Sequence, residues 1–348
     1  SVLSSAGAAY YDPATGTWKN SYVQSQNANP DLKWESTSQW NLGIDFGFLN
    51  CINGTLEFYH KKTSDLLWTY PVPQPPYLVG TMLANVGDMV NKGVELSLGA
   101  NIIRTKDFSL SANASIAYNK QEITKLSNNN YQAVGLQAGS LHNIRGLSGI
   151  YSQVIEEGYA AGEFYGSVCK GIDENGKYII ETDEEGNPVK RHLGSAMPKW
   201  NLGLSINLSY KDFDLNLSGY GMFGHKILNA TKMELYDYTR LKSGIKDGAV
   251  FSDYFLENGN FFRMQTITLG YNVPGVKKIG LEKVRFYLTA ENLFTITSYS
   301  GLDPEVSMPD NVLSGPGIDR LIIDNSTSDG STFSPRPRTF SLGVNVSF

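Results

Sequence analysis

Charged residues are scarce in this sequence, making up 18% of 348 residues against the roughly 25% that is usual for soluble domains. Only two cysteines are present, which cannot build a disulfide framework, and no cysteine and histidine cluster has the spacing of a zinc site. The net charge of −5 argues against a nucleic-acid-binding protein, because such a protein carries a basic face. No apolar run is long enough for a transmembrane helix, which needs ~18 residues or more.

Helical periodicity is also almost absent, and apolar residues alternate with polar ones instead. Within 200–210 the even positions hold Trp, Leu, Ile or Tyr, whereas the odd positions hold Asn, Gly or Ser. The last residues, 340–348, alternate in the same way. Successive side chains of a strand point to opposite faces. The pattern therefore predicts strands with one apolar face and one small, polar face.

The alternation predicts nine strands joined by connections of two kinds. The strands are expected at about 38–49, 53–66, 92–104, 107–120, 199–210, 212–226, 260–272, 283–297 and 337–348. The long connections are 67–91, 121–198, 228–259 and 298–335. Short turns at one edge and long loops at the other are typical of an outer-membrane β-barrel.

The aromatic residues of the apolar face lie near the strand ends, with aliphatic residues between them. At ~3.3 Å per residue and ~40° of tilt, ten residues rise roughly 25 Å, which is the height of a barrel's lipid-facing band. A soluble β-sandwich has no reason to place rings at both ends of its strands. The expected membrane girdle consists of Trp40, Phe48, Phe108, Tyr118, Trp200, Tyr210, Phe213, Phe223, Phe286, Phe294, Phe340 and Phe348.

The opposite face carries Asn, Ser, Thr, Gly and occasional Glu, which predicts a wet lumen or one filled by polar protein. Small side chains there favour a wide barrel, since a narrow one packs large side chains inward. The expected lumen-facing polar residues are Glu95, Asn201, Asn207, Glu291 and Asn345.

Nine is an odd number of strands, whereas single-chain bacterial barrels have even numbers. An open sheet leaves two edges in lipid, where unpaired backbone groups cost several kcal/mol each. We therefore expect the chain to be the C-terminal part of a larger barrel. In this interpretation 1–37 is an extracellular loop segment, and 38–348 contains the barrel strands with their long extracellular loops.

Several ordered motifs point to one family. They are Asn29-Pro30-Asp31-Leu32-Lys33-Trp34-Glu35, Asn41-Leu42-Gly43-Ile44-Asp45-Phe46, Asn85-Val86-Gly87, Asn91-Lys92-Gly93-Val94-Glu95, Pro198-Lys199-Trp200, Glu291-Asn292-Leu293-Phe294-Thr295 followed by Tyr299, Gly301, Asp303, Pro304 and Glu305, and the closing strand from Pro337. From about residue 29 onward the sequence resembles the SusC/RagA family, the TonB-dependent transporters of Bacteroidetes outer membranes.

The resemblance implies an all-β, plugged transmembrane barrel of roughly 22 strands, of which this chain supplies about nine. It implies import of oligosaccharides or peptides across the outer membrane, with a SusD-like surface lipoprotein as the lid. It also implies three further partners: membrane lipid, the missing N-terminal barrel and plug portion, and TonB through that portion. No cofactor is implied. A passive porin-like barrel and a soluble carbohydrate-binding β-protein are the alternatives.

The long loops are rich in aromatic residues, whose rings stack on sugars and peptides alike. We expect most of these rings to pack within the loops or against the lid and some to contact substrate. The candidates are Trp68, Tyr70, Tyr77, Tyr131, Tyr151, Tyr159, Tyr165 and Tyr178. The C-terminal Phe348 resembles the signal that the barrel-assembly machinery reads.

Catalytic and metal-binding patterns are weak. The four histidines, His60, His142, His192 and His225, lie in different elements, and no nucleophile has a recognisable catalytic context, so an enzyme is not expected. Two acidic stretches, 173–176 and 183–186, fit solvated hairpin turns, or less well a calcium loop. Cys51 and Cys169 are predicted at opposite ends of the wall and therefore as free thiols.

Overall fold

The computed structural model describes residues 2–127, 135–141, 144, 146–233, 245, 247–306, 315–319 and 335–348. Nearly all of the regular structure is β-strand. The strands are β1 (Val2–Asp12), β2 (Thr17–Gln26), β3 (Ser36–Phe48), β4 (Ile52–Pro71), β5 (Thr81–Arg104), β6 (Phe108–Lys125), β7 (Leu136–Ser140), β8 (Tyr151–Ile155), β9 (Glu163–Ser167), β10 (Cys169–Ile172), β11 (Tyr178–Ile180), β12 (Lys190–Ser195), β13 (Trp200–Tyr210), β14 (Phe213–Phe223), β15 (Lys226–Asn229), β16 (Leu256–Asn258), β17 (Phe261–Asn272), β18 (Lys283–Thr297), β19 (Ile318–Asp319) and β20 (Thr339–Ser347). Two short 3-10 helices span Asp253–Phe255 and Val276–Ile279.

The main sheet has nine strands, as predicted, and we call it the wall. Its order is β3-β4-β5-β6-β13-β14-β17-β18-β20, so that strands adjacent in the sheet follow one another along the chain. Every neighbouring pair is antiparallel. All long connections therefore leave from one edge of the wall, the long-loop edge, and all tight turns lie at the opposite, short-turn edge.

The apolar face of the wall is not covered by a second layer of the described protein. Trp40 is 58% exposed, Phe213 50% and Leu342 81%. A soluble β-sandwich buries such side chains between its two sheets. The exposed apolar face therefore excludes the sandwich alternative.

Aromatic residues mark the short-turn end of the strands along a line that slants across the hydrogen-bond register. Phe48 lies, through three intervening strands, opposite Ile206, four residues from Tyr210. In the other direction across the sheet, the register partners of Tyr210 on successive strands end at Val344 of β20. Val344 is four residues from Phe348. Strands that tilt within a barrel have such a stagger between register and height. The slant thus fits a piece of a tilted barrel wall.

The hairpin of β4 and β5 extends further than predicted, because pairing continues through most of 67–91 and leaves only 72–80 outside the strands. Tyr70, Ala84 and Val86 are buried there, with Trp68 packed against them. The backbone ladder continues beyond the point where the apolar alternation stops. Periodicity therefore underestimates the length of these strands.

Residues 1–37, predicted as a loop segment, contain the hairpin of β1 and β2. The segment after this hairpin lies along β4 and β5. Asn29 donates its amide to the carbonyl oxygen of Leu83 at 2.9 Å, and Asn85 accepts the Lys33 amide at 2.8 Å and donates to the Lys33 carbonyl oxygen at 2.9 Å. Two of the motifs noted in the sequence are therefore partners in space.

The buried core lies in the long connections rather than in the wall. Strands β7, β8, β9 and β12 form one small sheet, β15, β16 and β19 another, and β10 pairs with β11. We call these strands and their connecting segments the loop assembly. Its core buries, among others, Leu141, Phe164, Leu228, Phe255 and Ile318.

Candidate functional site

The polar face of the wall brings the predicted lumen residues together on one side of the sheet. Glu95 and Asn201 lie in one register row on either side of Ala117, and Asn207 faces Asn216, which donates an amide hydrogen bond to it. The predicted lumen residues, all exposed, are Glu95, Asn201, Asn207, Glu291 and Asn345. This face can hydrogen-bond water or a solute along the whole height of the wall.

A shallow groove of about 470 Å³ runs along the middle strands of this face. Its polar lining includes Ser97, Asn113, Ser205, Ser218 and Tyr220. Short side chains leave this space open, as the composition of the polar face predicts.

Near the long-loop edge, a charged network ties a loop to the polar face. Arg263 of β17, only 2% exposed, donates to Asp303 and lies 3.7 Å from the Glu305 carboxylate. Glu305 also accepts the Tyr220 hydroxyl and, at 2.5 Å, the Arg336 guanidinium. A buried charge is tolerated when it is paired and hydrogen-bonded. The network therefore fixes the segment carrying Asp303 and Glu305 against the wall.

A second polar cluster fixes the start of the same loop. The hydroxyl of Tyr299 donates to Asp319, which also accepts the Thr231 hydroxyl at 2.9 Å. Burial raises the pKa of both Tyr299 and Asp319. Ser300 donates its hydroxyl to Glu257 at 2.6 Å and its backbone amide to the same carboxylate at 2.7 Å. The sequence marks Tyr299, Asp303 and Glu305 as motif residues, but it gives no sign of their partners.

The apolar face carries the predicted girdle residues, and many of them are neighbours. Tyr118 and Trp200 are directly opposite, with ring centroids 4.8 Å apart, and Phe108 faces Tyr210 at 6.4 Å. Tyr271, which is not among the predicted girdle residues, pairs with Phe213, and their ring centroids are 4.8 Å apart. The remaining predicted members occupy the strands or strand ends of the wall; they are Trp40, Phe48, Phe223, Phe286, Phe294, Phe340 and Phe348. Contact with lipid, and the assembly role of Phe348, remain predictions.

The predicted contact residues differ widely in exposure. Tyr70 and Tyr178 are 1% and 9% exposed and pack in loop cores, so their rings offer almost no surface to a ligand. Tyr77 and Tyr159 are each 36% exposed. The half-buried ones are Trp68, Tyr151 and Tyr165, and Tyr131 lies outside the described residues. Tyr77 and Tyr159 are therefore the most exposed of the candidates that the structure describes.

One of these rings, that of Tyr159, is held by a histidine side chain. His192 stacks on Tyr159 with centroids 3.6 Å apart and an interplanar angle of 4°. The His192 imidazole also lies 3.3 Å from the Glu156 carboxylate and 3.8 Å from that of Glu163. Burial raises the pKa of the Glu163 carboxyl. No periodic signal links these residues, because they meet only through the fold of the loop assembly.

Next to this stack, a cleft of about 520 Å³ lies where the wall meets the loop assembly. Its lining includes Tyr159, Glu163, Lys199, His225 and Asn260. His225 is 8% exposed, and burial lowers its pKa to about 4. The imidazole is therefore neutral at physiological pH.

The two acidic stretches form matching turns. Asp173 accepts the backbone amides of Asn175 and Lys177 at 2.9 and 2.8 Å. Asp183 accepts those of Glu185 and Asn187 at 3.0 and 2.8 Å in the same way. Both carboxylates thus accept hydrogen bonds from the backbone of their own turns. Within the described part of the chain, no three or more His, Cys, Asp or Glu residues form a group suited to a metal ion.

The thiols of Cys51 and Cys169 are free, as predicted. Among the residues that the structure describes, no helix is long and apolar enough to cross a membrane.

Comparison with known proteins places these features in context. The family model described as TonB dependent receptor-like, beta-barrel matches residues 4–293. The TonB-dependent receptor SusC of Bacteroides thetaiotaomicron is 33% identical over 358 residues, covering 92% of this chain and 32% of that protein. TonB-dependent receptor P3 of Formosa agariphila is 29% identical over 371 residues, covering 94% and 36%. The chain thus spans about a third of the length of these relatives.

Solved structures give the same result. The RagAB peptide transporter matches with a TM-score of 0.74 and 26% identity, covering 100% of this chain and 38% of that chain. The RagAB peptide importer in its 'open-open' state matches with a TM-score of 0.75 and 25% identity. These relatives are receptors and transporters, which are not enzymes.

Proposed function

Because this chain belongs to the TonB-dependent receptor β-barrel family, we propose that it forms the C-terminal wall and outer loops of an importer. Barrels of this family lie in the outer membrane, and the nine strands of this chain are only part of one. The proposed cargo is an oligosaccharide or a peptide. The observation that carries the proposal is a wall with an apolar face exposed on one side and a polar face exposed on the other.

The two outermost strands of the wall indicate a larger assembly. Strands β3 and β20 each pair on one side only within the described sheet. In lipid, each unpaired backbone group costs several kcal/mol, so bare edges are unstable there. We propose that strands from the N-terminal portion of the same transporter pair with the free sides of β3 and β20. That portion also supplies the plug and the contact with TonB.

The orientation that we propose places the short turns in the periplasm and the long loops outside the cell. Outer-membrane barrels carry short periplasmic turns and longer extracellular loops. A SusD-like lipoprotein then covers the loop assembly as a lid. The RagAB importer has been described in 'closed-closed' and 'open-open' states, which fits a cycle of trapping and release.

The proposed path of the solute follows from which side chains are exposed. Substrate is trapped between the lid and the outer loops, where the exposed rings of Tyr77 and Tyr159 are available for contact. The plug moves under tension from TonB. The solute then passes along the polar face, beside residues such as Asn201 and Asn207.

The proposal is tested with the full-length transporter in a Bacteroidetes host. We expect a strain without the gene to stop growing on a limiting peptide or oligosaccharide source, and complementation to restore growth only when TonB is functional. The SusD-like lipoprotein should copurify with the complemented transporter.

Two results contradict this function. Uptake that persists without TonB indicates a passive pore. Unchanged growth of the deletion strain on every peptide and oligosaccharide tested rules out the proposed cargo. Tyr159→Ala should slow uptake of a substrate that its ring contacts, whereas the control Tyr22→Ala, at a residue 63% exposed on β2, should leave uptake unchanged.

A further inference from the structure

A cluster of lysines lies on the apolar face, where the apolar band ends at the long-loop edge. Lys92 of β5 and Lys120 of β6 are directly opposite each other in the register. Lys62 of β4 faces Val90, two residues from Lys92 on the same face. All three lysines are exposed. Because opposite side chains on a sheet are about 5 Å apart and diagonal ones about 7–8 Å, the three ammonium groups can reach one ligand.

Carboxylates neutralise only part of this cluster. The Lys62 ammonium lies 3.1 Å from the Asp88 carboxylate, and the Lys120 ammonium lies 2.8 Å from that of Glu122. Lys92 forms no ion pair within 4.0 Å in the part of the chain that the structure describes, although its charge also acts on the nearby Glu122. Like charges directly opposite on neighbouring strands destabilise the pair. Three ammonium groups thus share two carboxylates, which leaves one excess positive charge for an added anion.

The position of the cluster indicates where this anion comes from. The next residues on the same face toward the short-turn edge are Val94 and Tyr118, and the Tyr118 ring packs on Trp200. Such aromatic residues lie at the membrane interface in outer-membrane barrels. A lysine there lays its carbon stem along the apolar surface and extends its ammonium into the polar layer. Lipid headgroups are what borders the outside of a barrel at this height.

We propose that Lys62, Lys92 and Lys120 bind the phosphate of an anionic glycolipid in the outer leaflet. The assignment to the outer leaflet rests on the proposed orientation, with the long loops outside the cell. Lys92 supplies the unbalanced charge, and its two neighbours supply further N–H donors. Charge-assisted hydrogen bonds of this kind are the natural contacts of a phosphate.

The test uses the full-length transporter in detergent and measures lipid A binding by native mass spectrometry. The variant K92Q/K120Q removes two charges and keeps the side-chain length. We expect it to bind lipid A about 25-fold more weakly, since one lysine near an anionic surface contributes about fivefold. The matched control K106Q removes an exposed lysine at the short-turn edge and should bind as the wild type does. The variant K92R/K120R keeps the charges and should also bind normally.

The chemistry of the ligand is tested separately. Lipid A stripped of its phosphates should bind the wild type as weakly as intact lipid A binds K92Q/K120Q. Equal affinity of K92Q/K120Q and wild type for lipid A overturns the proposal. Equal binding of phosphatidylglycerol overturns the assignment to a glycolipid. If K92Q/K120Q instead loses the SusD-like lipoprotein and keeps lipid A, the patch is a protein interface.

Discussion

The wall and the loop assembly use the same apolar residue types in opposite ways. In the wall, apolar side chains such as Leu342 and Phe340 are exposed along one face. In the loop assembly, Phe164 and Phe255 are completely buried in a core. The difference fits a chain whose two regions face different solvents. In the proposed importer lipid covers the first set from outside the protein, whereas the second is covered by the protein itself.

Truncation of a core residue tests the loop assembly. Phe164→Ala should lower the local stability of β8 and β9 by about 3–5 kcal/mol, because it leaves a cavity in a close-packed core. Hydrogen exchange of the amides in these strands measures the loss. The matched control is Phe340→Ala, since Phe340 is 64% exposed on the wall. Unchanged exchange in Phe164→Ala would show that this core does not stabilise the loop assembly.

A charge on the apolar face tests the wall. Val344 lies midway between Phe340 and Phe348 and is 50% exposed. Val344→Arg should destabilise the full barrel in a phospholipid bilayer by about 2–4 kcal/mol, the cost of an arginine facing the middle of the lipid. Asn345→Arg, one residue away on the polar face, should cost far less. Denaturant titration of reconstituted protein gives both values, and equal costs would contradict the assignment of the two faces.

The pH dependence of the loop assembly sharpens the comparison further. The pKa of His225 is lowered to about 4 by burial, against 6.5 for an unperturbed histidine. The unfolded loop therefore binds more protons than the folded loop between these two values. The contribution of His225 to the stability of the folded loop is fully present above pH 6.5, and it falls by at most about 3 kcal/mol as the pH decreases toward 4.

This loss should be confined to the loops around His225 and absent from the centre of the wall. Hydrogen exchange as a function of pH, corrected for intrinsic exchange rates, measures it. In His225→Gln the pH dependence between 6.5 and 4 should be reduced. An identical profile in wild type and variant would show that His225 is not the group responsible.

The sequence predicts the wall well, because one face of each strand is apolar and the other is polar. The contrast gives strands such as Trp200–Tyr210 an alternation of apolar and polar residues with a period of two. The family resemblance read from the ordered motifs is confirmed by the family model and by the SusC and RagAB matches. The hairpin of β1 and β2 was not predicted, since its residues alternate without a clear apolar face.

The loop assembly was much harder to predict. Its strands are short and pack on several sides, so their apolar residues do not follow a single period along the sequence. The stack of Tyr159 on His192 and the pairing of Arg263 with Asp303 join residues far apart along the chain. Sequence motifs marked Asp303 and Glu305 without indicating Arg263, because a pairing partner is defined only by the folded backbone.

The network around Arg263 has a consequence for how cargo can travel. Removing one partner of a buried ion pair costs about 3–5 kcal/mol, so thermal motion rarely detaches Asp303 from Arg263. In the proposed importer, the stretch that holds Asp303 and Glu305 would therefore stay on the lumen face during transport. Any widening of the proposed entrance would then come from movements of other loops, and a solute would pass beside this fixed segment.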